Sequence, residues 1–216
     1  MSKAYPVIVV LVSGRGSNLQ AIIDRTQHDL PARIASVISD EPEALALERA
    51  RRAAIPTHVV TRRAFPTRTA FDRVLQATID AYHPELVVLA GFMRILTGDF
   101  VAHYQGKMIN VHPSLLPAFP GLDTHARALA AGHRQHGASV HFVTEEVDGG
   151  PVIIQAAVPV LPEDTPEILA ERVLAQEHRI LPEAIRWFIE RDLTIDGNIV
   201  RRHGEPVPLQ RRMQNG

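Results

Sequence analysis

The sequence predicts an α/β fold with a doubly wound, mostly parallel, twisted sheet, flanking helices and antiparallel strands toward the C-terminus. Two observations support this prediction. The segment VIVVLV (7–12) is an apolar run without polar alternation, which is typical of a parallel strand covered on both faces. The glycine turn SGRGSN (13–18) follows it, and apolar residues at helical spacing come next, so a strand, a turn and a helix are predicted in succession.

The same succession repeats along the first half of the chain. Short connections between alternating elements favour right-handed crossovers in a parallel sheet. Strands are predicted in RIASVISD (33–40), PTHVV (56–60), ELVVLAG (85–91) and KMINVH (107–112), and helices in PEALALERARRAA (42–54) and TRTAFDRVLQATIDAYH (67–83).

From about Gly137 the pattern changes. Residues 137–160 predict two longer strands joined by an acidic, glycine-rich loop, and residues 166–192 predict a helix that is broken or kinked before Pro182. Asp196-Gly197 lies in β-type sequence and predicts a hairpin, which we expect to complete the edge of the sheet. We predict a single domain, residues 1–216, with two halves that divide near residue 105.

The composition argues against several classes of protein. The 216 residues carry a formal net charge of -1, so no overall attraction to nucleic acid or to a membrane surface is expected. The chain has no cysteine, which excludes disulfides, thiolate metal sites and cysteine nucleophiles. The apolar runs are short for a membrane span, and no signal peptide is expected. We therefore expect a cytoplasmic protein that acts on small molecules.

The turn SGRGSN is a candidate anion site. Gly14 and Gly16 permit a tight turn, and the N–H groups at the start of the next helix favour an anion. The turn is not the dinucleotide fingerprint, because Leu19 takes the place of the third glycine, and it is not a P-loop. Asp40, which ends the second strand, would otherwise suggest NAD ribose binding. A phosphate monoester is the favoured ligand, and a turn that serves packing alone is the alternative.

Asn110 and His112 are candidates for chemistry at the end of a strand. They are two residues apart in an extended segment, so their side chains project from one face, and Pro113 favours extended backbone at His112. An amide and an imidazole beyond a strand end can stabilise an oxyanion and move a proton. The alternative is a polar pair that satisfies only local backbone groups.

Other polar residues give weaker indications. Asp148, in the loop EEVDGGP (145–151), could act with His112 if the fold brings the two together, and is otherwise a solvated carboxylate. Eleven histidines suggest a metal, but none has zincin spacing with an adjacent glutamate. No G-x-S-x-G elbow is present for a serine nucleophile. We expect neither a metal nor a covalent intermediate.

Five segments in order resemble the phosphoribosylglycinamide formyltransferases, the folate-dependent transformylases of purine synthesis. The resemblance extends from about Val7 to Phe188. HPSLLP with a downstream DGG is shared by the wider group that uses formyltetrahydrofolate, whereas GSNLQAI fits an acceptor that carries a phosphate. The five segments are SGRGSNLQAII, VVLAGFMRIL, INVHPSLLP, GASVHFVTEEVDGGPVIIQ and QEHRILP.

The resemblance implies a Rossmann-like formyltransferase fold, 10-formyltetrahydrofolate as co-substrate, glycinamide ribonucleotide as acceptor, no metal, and a monomer or homodimer. It assigns catalysis to Asn110, His112 and Asp148. The ribonucleotide half is about 1–105 and the folate and catalytic half about 106–216. The implied acceptor-binding residues are Gly16, Ser17, Asn18, Leu19, Gln20, Gln176 and Glu177. The implied folate-binding residues are Arg68, Met93, Arg94, Ile95, Leu96, Asn110, Thr144, Glu145, Glu146, Val147 and Asp148.

Together these observations predict direct attack of the acceptor amine on the formyl group. We expect Asn110 and a protonated His112 to stabilise the oxyanion, with Asp148 raising the pKa of His112. Asp123 stands where relatives often carry histidine, and the role of Arg15 is left open. The alternatives are hydrolysis of formyltetrahydrofolate, formylation of another amine, and a silent phosphate-binding module. The hydrolases and tRNA-formylating relatives carry an additional domain, which we do not expect here.

Overall fold

The computed structural model describes residues 5–207 and has alternating strands and helices along the first half of the chain. None of the helices in this described range is both long and apolar enough to cross a membrane. In chain order the elements are β1 (Val7–Val12), α1 (Ser17–His28), β2 (Arg33–Ser39), α2 (Leu45–Arg52), β3 (Thr57–Val59), a 3-10 helix (Arg62–Ala64), α3 (Arg68–Asp80), β4 (Leu86–Leu89), α4 (Gly98–His103), β5 (Met108–His112), α5 (Thr124–Ala130), β6 (Gln135–Phe142), β7 (Val152–Pro159), α6 (Pro166–Ile189), β8 (Leu193–Asp196), β9 (Ile199–Arg202) and β10 (Glu205–Pro206).

Seven strands form one mixed sheet in the order β3-β2-β1-β4-β5-β6-β7. The pairs β3-β2, β2-β1, β1-β4 and β4-β5 are parallel, and β6-β7 is antiparallel. The doubly wound α/β fold with antiparallel strands toward the C-terminus is therefore confirmed. The chain has two compact units, Met1–Asn110 and Val111–Gly216. The single domain over 1–216 stays a prediction, and positions 1–4 and 208–216 lie outside the described residues.

The core of the first unit follows the apolar pattern of the sequence. All side chains of Ile8–Val12 are buried, as expected for a strand with helices on both faces. Helix α3 buries Phe71, Leu75 and Ile79, which are four residues apart and share one face. The helix begins after Thr67, whose side chain accepts a hydrogen bond from the N–H of Ala70. Burial of these apolar side chains fixes the positions of the strands, and polar turns follow the carboxyl ends of the strands.

Helix α6 differs from the prediction, because it continues from Pro166 to Ile189 through Pro182. Proline removes one helical hydrogen bond and costs about 3 kcal/mol in a helix interior. Ile180, Leu181 and Ile185 are fully buried around it. Burial of one such side chain contributes about 1.5–3 kcal/mol, so three of them outweigh the proline. A break before Pro182 is therefore wrong, because packing stabilises the continuous helix, while the kink predicted as its alternative stays a prediction.

The C-terminal hairpin also differs from the prediction. Asp196 pairs with Ile199 across a two-residue turn in which Gly197 has a φ of +58°, as the Asp-Gly signal indicated. However, β8, β9 and β10 form a separate three-stranded sheet and do not complete the edge of the larger one. A second tight turn, in which His203 and Gly204 have φ values of +51° and +84°, returns β10 onto β9, so both edges of β9 are paired within the small sheet.

Candidate active site

The second unit contains a carboxylate between two buried imidazoles. Asp148 Oδ2 lies 3.3 Å from His112 Nδ1, and Asp148 Oδ1 lies 3.5 Å from His141 Nε2. His112 ends β5 and is 6% exposed, while His141 lies on β6 and is 2% exposed. The fold therefore brings together His112 and Asp148, which are far apart in sequence. Their catalytic role stays a prediction.

His141 is a member of this cluster that the sequence did not predict. Both neighbours of His141 are buried apolar residues, Val140 and Phe142, and the strand leads directly into the acidic loop. The one indication in the sequence is that this histidine lies in a buried strand just before a glycine-rich acidic loop. This pattern does not identify a site residue, because a buried histidine can also belong simply to the core.

Backbone groups of residues 119–121 complete the cluster. His112 Nε2 donates a hydrogen bond of 2.9 Å to the carbonyl oxygen of Phe119, and the N–H of Gly121 donates one of 2.8 Å to Asp148 Oδ2. Phe119, Gly121 and Asp148 all have left-handed backbone, with φ values of +55°, +79° and +55°. Because a carbonyl oxygen only accepts, the hydrogen of neutral His112 lies on Nε2.

Buried polar side chains of β6 and β7 hold the segment that follows His112. Ser139 Oγ accepts from the N–H of Leu116 at 3.0 Å and donates to the carbonyl oxygen of Ser114 at 2.6 Å. Gln155 Nε2 donates to the carbonyl oxygen of Leu116 at 2.7 Å and to Ser139 Oγ at 2.8 Å. Such a satisfied network fixes the conformation of a loop, because any broken bond would leave a buried group without its partner.

Burial and nearby charges act in opposite directions on the pKa values of this cluster. Burial lowers the pKa of His112, although the hydrogen bond to Phe119 and the charge of Asp148 both raise it. Burial raises the pKa of Asp148, but contacts with His141 and Gly121 and the nearby imidazoles give a net lowering. Burial thus outweighs the charge of Asp148 in the net pKa of His112, and a protonated His112 during the reaction stays a prediction.

A second pair of histidines lies in the same unit. His136 Nε2 is 3.2 Å from His125 Nδ1, and His136 is 1% exposed. Burial first, and then the charges of His125, His112 and His133, lower the pKa of His136 to about 4. Among residues 5–207, no group of three or more potential ligands is arranged to hold a metal ion. Burial also lowers the pKa of His125, so the two rings contact one another as neutral imidazoles at pH 7.

The first unit contains the glycine turn, with Ser17, Asn18, Leu19 and Gln20 forming the first turn of α1. Gly16 precedes the helix with a φ of +72°, and a Cβ atom there would lie 2.6 Å from the Cβ of Ala46. The N–H of Ala46 donates to the carbonyl oxygen of Gly14 at 3.1 Å, and Arg49 Nε donates to that of Arg15 at 2.9 Å. Helix α2 thus supports the turn from one side, and only glycine fits at position 16.

The segment Met93–Leu96 follows β4 and has no regular secondary structure. Met93 and Ile95 are 66% and 61% exposed, which is unusual for apolar side chains. The N–H of Met93 donates to Ser13 Oγ at 2.8 Å. The side chain of Arg94 pairs with two carboxylates, one of them that of Asp40. The segment therefore presents apolar side chains on a backbone that side chains hold in place.

The remaining predicted residues lie on α3, on α6, on β5 and in the loop after β6. Arg68 is exposed at the start of α3, and Gln176 and buried Glu177 lie on α6. In the loop after β6, Glu145, Glu146 and Val147 are exposed, and Thr144 Oγ1 donates to the carbonyl oxygen of Glu146 at 3.3 Å. Gly150 lets this loop return, since a Cβ atom would lie 1.9 Å from the carbonyl oxygen of Phe142. Asn110 is half-buried on β5, opposite Leu89.

The imidazole–carboxylate cluster lies beyond β5, where doubly wound sheets bind their ligands. The family model for formyl transferase matches residues 7–185. The chain belongs to this family. It is 51% identical to the phosphoribosylglycinamide formyltransferase of Escherichia coli over 204 aligned residues. The aligned region covers 94% of this chain and 96% of that protein.

Two further comparisons agree. A solved phosphoribosylglycinamide formyltransferase from Coxiella burnetii is 52% identical and superposes with a TM-score of 0.91, covering 95% of this chain and 97% of that one. The trifunctional purine biosynthetic protein adenosine-3 of Bos taurus is 47% identical over 180 residues, which are 83% of this chain and 18% of the bovine protein. Both similarities extend over most of the chain, so they include the strand ends and loops described above.

Proposed function

We propose that the protein transfers the formyl group of 10-formyltetrahydrofolate to the amine of glycinamide ribonucleotide, a step of purine biosynthesis. The 51% identity to the Escherichia coli enzyme supports this proposal. The structural observation behind it is the carboxylate of Asp148 between His112 and His141. Formyl transfer requires stabilisation of a negative oxygen and a path for one proton, and such a cluster suits both tasks.

In this reaction the acceptor amine attacks the formyl carbon directly. A new C–N bond forms, the formyl oxygen becomes negative, and the bond to N10 of the folate then breaks. The amine loses one proton and N10 gains one, so atoms and charge balance without a covalent intermediate on the protein. A bound phosphate group would hold the acceptor, and orientation of this kind lowers the barrier substantially.

His112 would stabilise the negative oxygen through its Nε2–H group. This group donates to the carbonyl oxygen of Phe119, and in the proposed complex the formyl oxygen replaces that acceptor. As negative charge develops, the carboxylate of Asp148, 3.3 Å from His112 Nδ1, stabilises positive charge on the imidazole ring. The proton that the amine loses would reach N10 through a water ordered by Asp148. Asn110, two residues earlier on β5, supplies a second donor.

We assign the acceptor's phosphate to the glycine turn, and its other polar groups to α6. Gly16, Ser17, Asn18, Leu19 and Gln20 offer the N–H groups of a helix N-terminus, which favour a phosphate dianion. Gln176 and Glu177 would bind the ribose or the glycinamide group. The close contact of Gly16 with Ala46 fixes this turn against helix α2 and so fixes the direction of its N–H groups.

We assign the folate to two other segments, 93–96 and 144–148, together with Arg68 and Asn110. Met93 and Ile95 would cover its ring with apolar surface, while the backbone of Arg94 and Leu96 offers hydrogen bonds to its edge. Arg68, exposed at the start of α3, carries the charge to pair with a carboxylate of the folate tail. The loop residues Thr144, Glu145, Glu146, Val147 and Asp148, with Asn110, complete the assignment.

Turnover with and without the acceptor tests the proposed function. Tetrahydrofolate formation is followed at saturating 10-formyltetrahydrofolate, in the presence and absence of glycinamide ribonucleotide. Acceptor-dependent turnover is expected. Acceptor-independent turnover would indicate a hydrolase, and no turnover would indicate a silent phosphate-binding protein. His112→Gln should lower kcat by about 100-fold or more, whereas His28→Gln, an exposed change on α1, should not affect it.

A further inference from the structure

Asp40 is a buried carboxylate that the proposed reaction does not use. It follows β2 directly and is 1% exposed. Its position in the sequence resembles that of an acidic residue that binds ribose in dinucleotide-binding proteins. In this structure Asp40 Oδ1 accepts a hydrogen bond of 2.5 Å from Ser13 Oγ, and Oδ2 accepts one from Arg94 Nε. Both oxygens are therefore engaged within the protein, and a role other than ribose binding has to explain the residue.

Both partners of Asp40 lead to the same short segment. Since the hydroxyl hydrogen of Ser13 is donated to Asp40, a lone pair of Ser13 Oγ is directed to the N–H of Met93, 2.8 Å away. The other partner, Arg94, is the next residue of that segment, and its Nη2 donates to Glu41 Oε1 at 2.6 Å. The carboxylate of Asp40 thus orients the Ser13 hydroxyl that binds the N–H of Met93, and it binds the side chain of Arg94 directly.

Other contacts hold the two ends of this stretch, since Phe92 is buried and the N–H of Thr97 donates to Asp72 Oδ2 at 2.7 Å. Between these ends, the hydrogen bonds described for Met93 and Arg94 come from Ser13, Asp40 and Glu41. Residues 92–97 form neither helix nor strand, and the side chains on both sides of Arg94 are exposed. At the preceding end, the N–H of Ser13 donates to the carbonyl oxygen of Gly91 at 3.0 Å, which continues the pairing of β1 and β4. After Gly91 strand pairing ends, and the hydrogen bonds of Asp40 and its partners hold Met93 and Arg94 instead. A charged group at a 1% exposed position makes this support rigid, since an unpaired carboxylate there would be costly.

We propose that Asp40 is a positioning residue for the folate, acting through Ser13 and Arg94 on the backbone of residues 93–96. This inference rests on the proposed function, which assigns folate contacts to that segment. Asp40 itself does not contact the folate in this proposal. Loss of Asp40 should therefore weaken folate binding and leave the chemical step and acceptor binding largely unchanged.

The test compares three variants. Asp40→Leu has a similar shape but no acceptor, and we expect it to raise KM for 10-formyltetrahydrofolate about tenfold, because a charged hydrogen-bond pair and the order of the segment are both lost. Asp40→Asn should restore most of the affinity, because its amide oxygen accepts from Arg94 while its amide group donates to Ser13. Glu41→Gln is the matched control, since it removes a carboxylate from the same guanidinium at a half-exposed position. It should change KM by less than about twofold.

The pattern across parameters distinguishes positioning from general damage. We expect kcat and KM for glycinamide ribonucleotide to change by less than about threefold in every variant. Equal losses in kcat and in both KM values, or an unchanged folate KM in Asp40→Leu, would overturn the inference. If Asp40→Leu does not fold by circular dichroism, Ser13→Ala takes its place. That variant removes the acceptor of Met93 and should raise the folate KM about threefold, and an unchanged value would overturn the inference equally.

Direct binding separates this inference from the proposed function. Isothermal titration calorimetry with tetrahydrofolate measures affinity without any acceptor. If the wild-type protein binds tetrahydrofolate and Asp40→Leu or Ser13→Ala binds it as tightly, the positioning role is wrong while the proposed function stands. If the wild-type protein does not bind tetrahydrofolate, the proposed function fails and the inference fails with it.

Discussion

Acidification should destabilise the second unit through His136. This ring donates to the carbonyl oxygen of Pro113 and therefore accepts with Nε2 from His125 Nδ1, 3.2 Å away. A second proton on His136 would oppose the N–H of His125 at a position that is 1% exposed. Burial is the largest reason that the pKa of His136 falls from 6.5 to about 4, and the neighbouring histidines add to it.

The direction and size of the effect follow from proton linkage. An unfolded chain protonates His136 near its ordinary pKa, whereas the folded protein resists until about pH 4. Between these values the unfolded state binds more protons, so stability is complete above the ordinary pKa and falls as the pH decreases through this window. A tenfold change in proton affinity is about 1.4 kcal/mol, so His136 accounts for about 3 kcal/mol of lost unfolding free energy.

Urea unfolding from pH 7 to pH 4 measures this effect. Trp187, the single tryptophan, is buried on α6 in the same unit and reports unfolding by fluorescence. Wild type should lose about 3 kcal/mol more than His136→Gln over this range, because all other titrating groups are common to both proteins. His28→Gln should behave like wild type, since His28 is exposed. Equal acid losses in wild type and His136→Gln would refute the role of this histidine.

Three further changes test other parts of the molecule. Asn110→Ala should lower kcat about 100- to 1,000-fold in steady-state assays with an unchanged melting temperature, because one oxyanion donor is lost; a change below tenfold would contradict its role. Gly16→Ala should raise KM for glycinamide ribonucleotide about tenfold, since its Cβ would lie 2.6 Å from that of Ala46; an unchanged KM would argue against the phosphate assignment. Gln155→Leu should cost about 2 kcal/mol in urea unfolding, because it removes the buried donor to Leu116; full stability would show that the network is not needed.

The sequence predicted the elements that depend on local pattern. The apolar runs at 7–12 and 85–91 became parallel strands, and the helix of residues 68–80 followed its apolar spacing. The hairpin that Asp196-Gly197 predicts also formed, with Gly197 and Asn198 as its two turn residues. These features were predictable because burial of alternating or helically spaced side chains acts over a few residues.

The features that were missed or wrong depend on residues distant in sequence. The helix through Pro182 is stabilised by burial that the helix sequence alone does not reveal. His141 became part of the candidate site only when β6 carried it to Asp148, and the lowered pKa of His112 results from burial by several segments. The partners of Asp40, Ser13 and Arg94, lie 27 and 54 residues away in the chain, so its position in the sequence does not reveal them.

The fate of an isotopically labelled formyl group tests the central claim most directly. The protein is supplied with 10-formyltetrahydrofolate carrying carbon-13 in the formyl group, together with glycinamide ribonucleotide, and the products are followed by NMR. Direct transfer, with His112 and Asp148 stabilising the oxyanion, predicts that the label appears as an amide on the acceptor. Label released as formate, or label that stays on the folate in the presence of folded protein and acceptor, would contradict it.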